Sequence, residues 1–262
     1  MSSFSSTWRS VLAIAAVTVQ EGVRTRLVWL VGTVLLVGVM LATFVGTLAV
    51  TESQQVQSGI LGAYLRLAGV LITCLFVLNA QVREFNDKGL DLVLSLPIPR
   101  GGYFLGKLLG FFLIALAIAL LFFLVLLFYA PLASVGLWSL SFLLELFIVV
   151  TLSLLCLYTF DQVPSAFTMV LAVYLLSRAI ASLQLVGQGP IMPQSALYVW
   201  FINRFLDGLA FFLPALDRFT QAEWLVYGSG SLADLGFVVG QGLIYLLLLS
   251  AAALIDLYRR NF

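Results

Sequence analysis

The chain of 262 residues contains no histidine, so the commonest general base and proton shuttle among the side chains is absent. It has only two cysteines, Cys74 and Cys156, and both lie inside apolar runs. We interpret them as small buried hydrophobic residues, because a metal site needs clustered ligands. The sequence also offers no close pair of carboxylates and no nucleophile with an identifiable base. We therefore expect neither a catalytic residue nor a metal or cofactor on this chain.

Charged residues are also scarce: they make up 10% of the chain, whereas 62% of its residues are hydrophobic. Soluble globular domains have about 25% and about 45–50%, respectively. A soluble chain of this length cannot bury so much apolar surface, which predicts a membrane protein. The net charge is +1, and no basic patch of the kind that binds nucleic acid is present. The first 26 residues lack the apolar core and cleavage site of a secretory signal peptide.

Six apolar segments are long enough to cross a bilayer, which takes about 20 residues: 27–50, 60–82, 103–130, 134–158, 164–186 and 232–257. The basic residues outside these segments are distributed unevenly. Nine of them fall on the side of the N-terminus, counting Lys107 near the start of the third segment, and two fall on the other side, both within 187–231. Since cytoplasmic loops collect lysine and arginine, both termini are predicted to be cytoplasmic.

The segments between the spans are too short to fold alone, so residues 1–262 are predicted to form one all-α transmembrane domain. Its soluble-facing parts are 1–26, a cytoplasmic stretch over 83–102 and an external loop over 187–231. In the first part, apolar residues recur at three- and four-residue steps: Trp8, Leu12, Ala15, Val19 and Val23. This pattern predicts an amphipathic helix on the cytoplasmic surface, serving as a membrane anchor, a docking surface for a cytoplasmic partner, or both.

The stretch 83–102 begins with charged residues, becomes amphipathic over 90–96 and then reaches Pro97 and Pro99. The prolines end any helix, because each lacks an N–H donor and disfavours helical geometry in the preceding residue. The pattern predicts a short helix that projects from the membrane, followed by a stiff turn. A simple connection would need only about four or five polar residues. A solvated loop that carries the positive charge is the alternative interpretation.

Three groups of residues resemble those of type-2 ABC exporter permeases. The first is similar to the segment between the second and third spans of that family: Glu84, Gly89, Leu94, Pro97 and Arg100, followed by Gly106 and Lys107. The second, just ahead of the first span, is Glu21, Arg24 and Arg26. The third is 212–219 followed by Tyr227 and Gly228. It resembles the loop before the last span in the branch that includes multicopper-enzyme-maturation permeases.

The resemblance implies that 83–102 contains a coupling helix, which seats in a groove of a separate ATPase subunit. The residues implied to contact the ATPase are Glu84, Asp87, Gly89, Leu94 and Pro97. Arg100 and Lys107 would anchor the return into the membrane, and the N-terminal helix with Glu21, Arg24 and Arg26 would flank the same contact. Gly106 and Lys107 are not a phosphate-binding loop, because the upstream glycine, the following Ser/Thr and the preceding strand are missing.

The assembly implied by the resemblance has two permease chains, identical or related, and two ATPase chains that bind ATP and Mg²⁺. Accessory periplasmic or membrane subunits are further partners that this family admits. The implied setting is a bacterial-type cytoplasmic membrane, and the implied direction of transport is export. The substrate stays open, with lipids, peptides, small drugs, ions and a sulfur species as candidates.

Three of the charged residues within the predicted spans are candidates for a role inside the membrane. Glu145 is near the middle of the fourth, where a charge costs about 2.5–3.5 kcal/mol. One interpretation makes Glu145 part of a translocation path or a proton relay. The other makes it a structural glutamate that is either protonated or paired with a neighbouring polar group. Arg66 and Arg178 lie nearer the outer ends and are expected to extend to the interface. They are further candidates for the pathway.

The sequence of the external loop predicts one or two short interfacial helices with a polar stripe. The candidate gate residues are Asn203, Arg204 and Asp207 of this stripe, and Pro214. The resemblance implies re-entrant helices that cap a pathway, and a belt of aromatic residues at the interface is the alternative.

As a whole, the sequence favours a permease subunit driven by a separate ATPase. A scaffold that passes ATPase motion to a partner protein is one alternative. A secondary carrier is another, although it would need several central ionisable groups.

Overall fold

The structure is a computed structural model that describes residues 2–48, 52–86, 100–160, 162–188 and 197–259. These residues are almost entirely helical and contain no strand. The helices are α1 (Ser2–Arg24), α2 (Leu27–Leu48), α3 (Ser53–Asn86), α4 (Arg100–Leu126), α5 (Leu132–Phe160), α6 (Val163–Gln188), α7 (Leu197–Phe212), a 3₁₀ helix (Leu216–Arg218), α8 (Ala222–Tyr227) and α9 (Leu232–Arg259). Six of them, α2 to α6 and α9, are long and apolar enough to span a membrane, which confirms the predicted number of spans.

Helix α3 is longer than the sequence predicts, because it begins at Ser53 instead of residue 60 and continues to Asn86. At about 1.5 Å per residue its length is roughly 50 Å, whereas the hydrocarbon core of a bilayer is about 30 Å thick. We expect the ends of α3, with polar residues near Ser53 and charged residues near Asn86, to extend beyond the hydrocarbon core. The predicted stretch 83–102 therefore starts inside a helix.

The core of the bundle is built around α5. In an apolar stretch of 18 residues, 72% of the residues of α5 are buried, against 17% for α2 and for α9. Aromatic side chains join α5 to α4: the ring of Phe142 stacks on Phe122 at 5.7 Å, and Phe112 stacks on Phe147 at 4.2 Å. Helix α2 packs on α3, and α9 packs on α5. Their remaining faces carry exposed leucine, valine and phenylalanine side chains, as contact with lipid requires.

Helix α1 packs along α4 through small residues. An added Cβ on Gly110 would lie 2.6 Å from Cβ of Thr18 and 3.1 Å from the carbonyl oxygen of Ala15. The glycine therefore lets the two backbones approach closely. The buried stripe of α1 comprises Val11, Ala15 and Thr18, whereas members of the predicted apolar face stay exposed: Trp8, Leu12 and Val23. The location of α1 at a membrane surface stays a prediction.

Candidate functional site

A charged cluster lies inside the bundle around Glu145 of α5, whose side chain is fully buried. The guanidinium of Arg178 on α6 lies 3.3 Å from the carboxylate. The hydroxyl of Tyr174, one turn earlier on α6, donates to the same oxygen at 2.8 Å. The hydroxyl of Thr220 donates a short hydrogen bond to the other oxygen. Residues four apart share a helix face, so α6 presents both of its partners to Glu145 at once.

The same arginine fastens the chain that follows α7. Arg178 donates to three backbone carbonyls, those of Leu216 at 2.8 Å, Phe219 at 3.2 Å and Thr220 at 3.4 Å. Arg66 of α3 also donates to the carbonyl of Thr220, at 2.9 Å. Arg178 thus joins buried Glu145 to the backbone of the 216–220 segment, and its expected reach to the membrane interface stays a prediction.

Thr220 is held in an unusual backbone conformation, with φ of 48°. A β-branched residue rarely adopts this left-handed region, and such a residue persists only where its surroundings over-determine it. Besides the bonds above, its N–H donates to Oγ of Ser141 on α5 at 2.9 Å. Residues of α3, α5 and α6 therefore all bind this one position.

The segment after Thr220 packs into the same end of the bundle. Helix α8 contacts α3 and α5, and its side chains Trp224 and Leu225 are buried. Leu225 occupies the space where a Cβ on Gly62 of α3 would stand, and Val226 lies 2.9 Å from the equivalent position at Gly59. Two glycines three residues apart thus open one face of α3 to α8.

The candidate gate residues lie on α7, which packs on α6, and in the turn that follows α7. Asn203, Arg204 and Asp207 are on α7, which is a single helix. Asp207 accepts a hydrogen bond from Gln184 of α6 at 3.0 Å, and the guanidinium of Arg204 lies over the ring of Trp200 at 5.7 Å. Pro214 is buried in the turn that leads to the 3₁₀ helix bound by Arg178. The carbonyl of Pro214 accepts from the N–H of Leu216, whose own carbonyl binds Arg178, so Pro214 adjoins the cluster.

A second cluster lies at the other end, where α3 ends and α4 begins. The Nζ atom of Lys107 is 2.5 Å from a carboxylate oxygen of Glu84, and both side chains are mostly buried. Gln81 donates to the hydroxyl of Tyr103 at 2.8 Å. Tyr158 of α5 packs between the rings of Phe85 and Phe104, at 6.1 Å and 6.4 Å. These contacts hold the two flanks of 87–99 together.

The residues predicted for ATPase coupling divide into two groups. Glu84 and Arg100 are described, and Arg100 donates to the carbonyl of Tyr258 on α9 at 3.3 Å. The others lie outside the described residues, as does the predicted short helix: Asp87, Gly89, Leu94 and Pro97. Glu21, Arg24 and Arg26 sit where α1 meets α2, and Glu21 lies 4.0 Å from Arg83 of α3.

Three residues of the Glu145 cluster escape sequence reasoning: Ser141, Tyr174 and Thr220. Helical spacing offers a signal for two of them. Ser141 precedes Glu145 by four residues and Tyr174 precedes Arg178 by four, so each shares a face with a charged residue. Thr220 has no such signal, because it lies in the loop before α9 and not in a span. Only the folding of that loop brings it to Glu145.

Six apolar helices around a buried ion pair define the class of this chain: an integral, multi-pass, all-helical membrane protein. In comparisons with known proteins, no protein-family model matches the chain, and no curated protein matches it.

Proposed function

We propose that this chain is the membrane-spanning permease subunit of an ABC transporter. It couples ATP hydrolysis by a separate ATPase subunit to substrate movement, with export as the direction and a second permease chain completing the assembly. The observation that carries the proposal is the construction of the two flanks of 87–99. Glu84 and Lys107 form an ion pair with side chains only 18% and 5% exposed.

Force transmission gives a reason for such flanks. A segment that is pushed by a partner moves the spans only if the spans do not yield at the point of attachment. The paired charges, the bond from Gln81 to Tyr103 and the packed rings around Tyr158 stiffen that attachment. Removing one partner of a buried pair costs up to about 3–5 kcal/mol, because the other charge is left uncompensated. In the proposed mechanism the paired flanks therefore move as one unit.

Helix α3 then connects the two clusters. It carries Glu84 near one end and Arg66 near its middle, within one uninterrupted helix of 34 residues. Arg66 binds the carbonyl of Thr220, so motion of α3 reaches the segment that also contains Pro214. In the proposed mechanism, this segment and α7 with Asn203, Arg204 and Asp207 form the outer gate. The three bonds to Glu145 favour a structural role for it over a proton relay.

The experiment is purification of the tagged chain from its native membrane, followed by an ATPase assay and identification of co-purifying subunits. We expect an ATPase to co-purify, and we expect the charge reversal Asp87→Lys to remove most of the associated activity. Glu223→Lys is the matched control, because it reverses an exposed acidic residue at the opposite end of the bundle.

Transport by the chain alone, at the full rate, would refute the proposal. Equal losses in both variants would show that charge reversal acts on folding and not on coupling. An ATPase complex that moves no substrate but drives a partner protein would favour the scaffold function, since the same flanks would serve it.

A further inference from the structure

A groove of about 870 Å³ opens between the junction of α1 with α2 and the last turns of α3. Its mouth carries three arginines: Arg24, Arg26 and Arg83. Another part of its lining is apolar and includes Leu30, Leu71, Leu75 and Phe76. The volume lies in the range of about 300–1,000 Å³ that small-molecule sites occupy.

The break between the two helices creates the mouth. Helix α1 ends at Arg24 and α2 begins at Leu27, and the Thr25 hydroxyl donates to the carbonyl of Gly22 at 2.9 Å. Arg24, Arg26 and Arg83 are exposed. Glu21 is the acidic residue among the lining residues and lies 4.0 Å from Arg83. Three arginines against one glutamate leave a net charge of +2 at the mouth.

We propose that this groove binds an anionic phospholipid from the leaflet on its side of the membrane. The phosphate contacts Arg24 and Arg26, and an acyl chain lies along Leu30, Thr33 and Leu75. Charge complementarity selects this occupant, because basic pockets between spans at the cytoplasmic side bind anionic headgroups. A free anion would leave the apolar wall unused, and a zwitterionic lipid would leave the net charge unmatched. The site goes beyond the permease proposal and does not require an ATPase.

The test uses the full chain in detergent after lipid removal. Phosphatidylglycerol and phosphatidylcholine with identical acyl chains are titrated separately, inorganic phosphate is titrated alone, and bound lipid is counted by native mass spectrometry. We expect phosphatidylglycerol to bind more tightly than phosphatidylcholine. Replacing Arg24 and Arg26 by glutamine should weaken this binding about fivefold per arginine. Arg9→Gln, which removes a charge from α1 outside the groove, should leave the affinity unchanged.

A second variant separates the groove from general attraction to basic charge. Thr33→Trp places an indole on the apolar wall and keeps every arginine, so we expect it to displace phosphatidylglycerol. Thr47→Trp is its control, because Thr47 is an exposed threonine of the same helix outside the groove. Equal binding of the two lipids, full retention by Thr33→Trp, or equal losses in Arg9→Gln would each overturn the proposal. Competition by inorganic phosphate alone at similar concentrations would also overturn it, because it would identify a simple anion site.

Discussion

Glu145 and Arg178 show how a charge is accommodated among apolar helices. An unpaired carboxylate in this position would be costly, and a partner on a neighbouring span removes most of that cost only when further hydrogen bonds complete it. Tyr174 and Thr220 supply those bonds to the carboxylate, and backbone carbonyls supply them to the guanidinium. The pair therefore binds the 216–220 segment to the spans as well as joining α5 to α6.

Replacing Thr220 by valine tests this role at a single hydroxyl. Valine keeps the β-branch, so the strain at φ of 48° is unchanged while the bond to Glu145 is lost. We expect the free energy of unfolding to fall by about 1.5–3 kcal/mol, as for a hydrogen bond to a charged group. The measurement is equilibrium unfolding in detergent micelles.

The control for that change is Thr168→Val on α6. Its hydroxyl is exposed and donates only to the carbonyl of Pro164 in its own helix, at 2.8 Å. Its loss should alter stability by no more than about 0.5 kcal/mol. Equal effects of the two substitutions would show that the Glu145 cluster does not depend on Thr220.

At the scale of elements, glycines decide which helices touch. Helix α1 lies against α4 at Gly106 and Gly110, and α8 lies against α3 at Gly59 and Gly62. Lipid is as apolar as the helices, so close packing of backbones takes over part of the role that hydrophobic burial has in water. Each glycine pair therefore sets a specific contact at a cost in helix propensity.

Gly110→Ala tests the contact between α1 and α4. The new Cβ meets Thr18 and the carbonyl of Ala15, and the backbone oxygen cannot move aside as a side chain can. We expect destabilisation of about 1–3 kcal/mol from overpacking. Gly240→Ala on α9 is the matched control: its Cβ meets nothing within 4 Å, so alanine should stabilise by up to about 1 kcal/mol. Thermal unfolding of both variants gives the comparison, and a stable Gly110→Ala would contradict the close contact.

At the scale of the whole molecule, the charge asymmetry of the loops predicts which side each end occupies. The two native cysteines are buried, so an introduced cysteine can be labelled over a low background. We expect Arg9→Cys and Arg259→Cys to react with a membrane-impermeant maleimide only after the membrane is permeabilised. Glu223→Cys should react in intact cells. Labelling of all three from one side would refute the proposed orientation, and the reverse pattern would invert it.

The number of spans and their approximate positions follow from the sequence, because the cost of moving each 20-residue segment into lipid depends on its own composition. Helical spacing also places Ser141 with Glu145 and Tyr174 with Arg178 on common faces. The full length of α3, from Ser53 to Asn86, could not be predicted from apolar composition. Its first and last turns are polar, although they are helical.

Only the tertiary structure decides what the charged residues bind. The sequence places Glu145 in the membrane and leaves its partner open, because spacing along a helix specifies a face but not the helix packed against it. The same holds for Lys107 with Glu84 and for Arg66 with Thr220, which come from segments 23 and 154 residues apart. Such pairs are set by how the helices pack around α5, and that packing depends on glycines and ring contacts distributed over the whole chain.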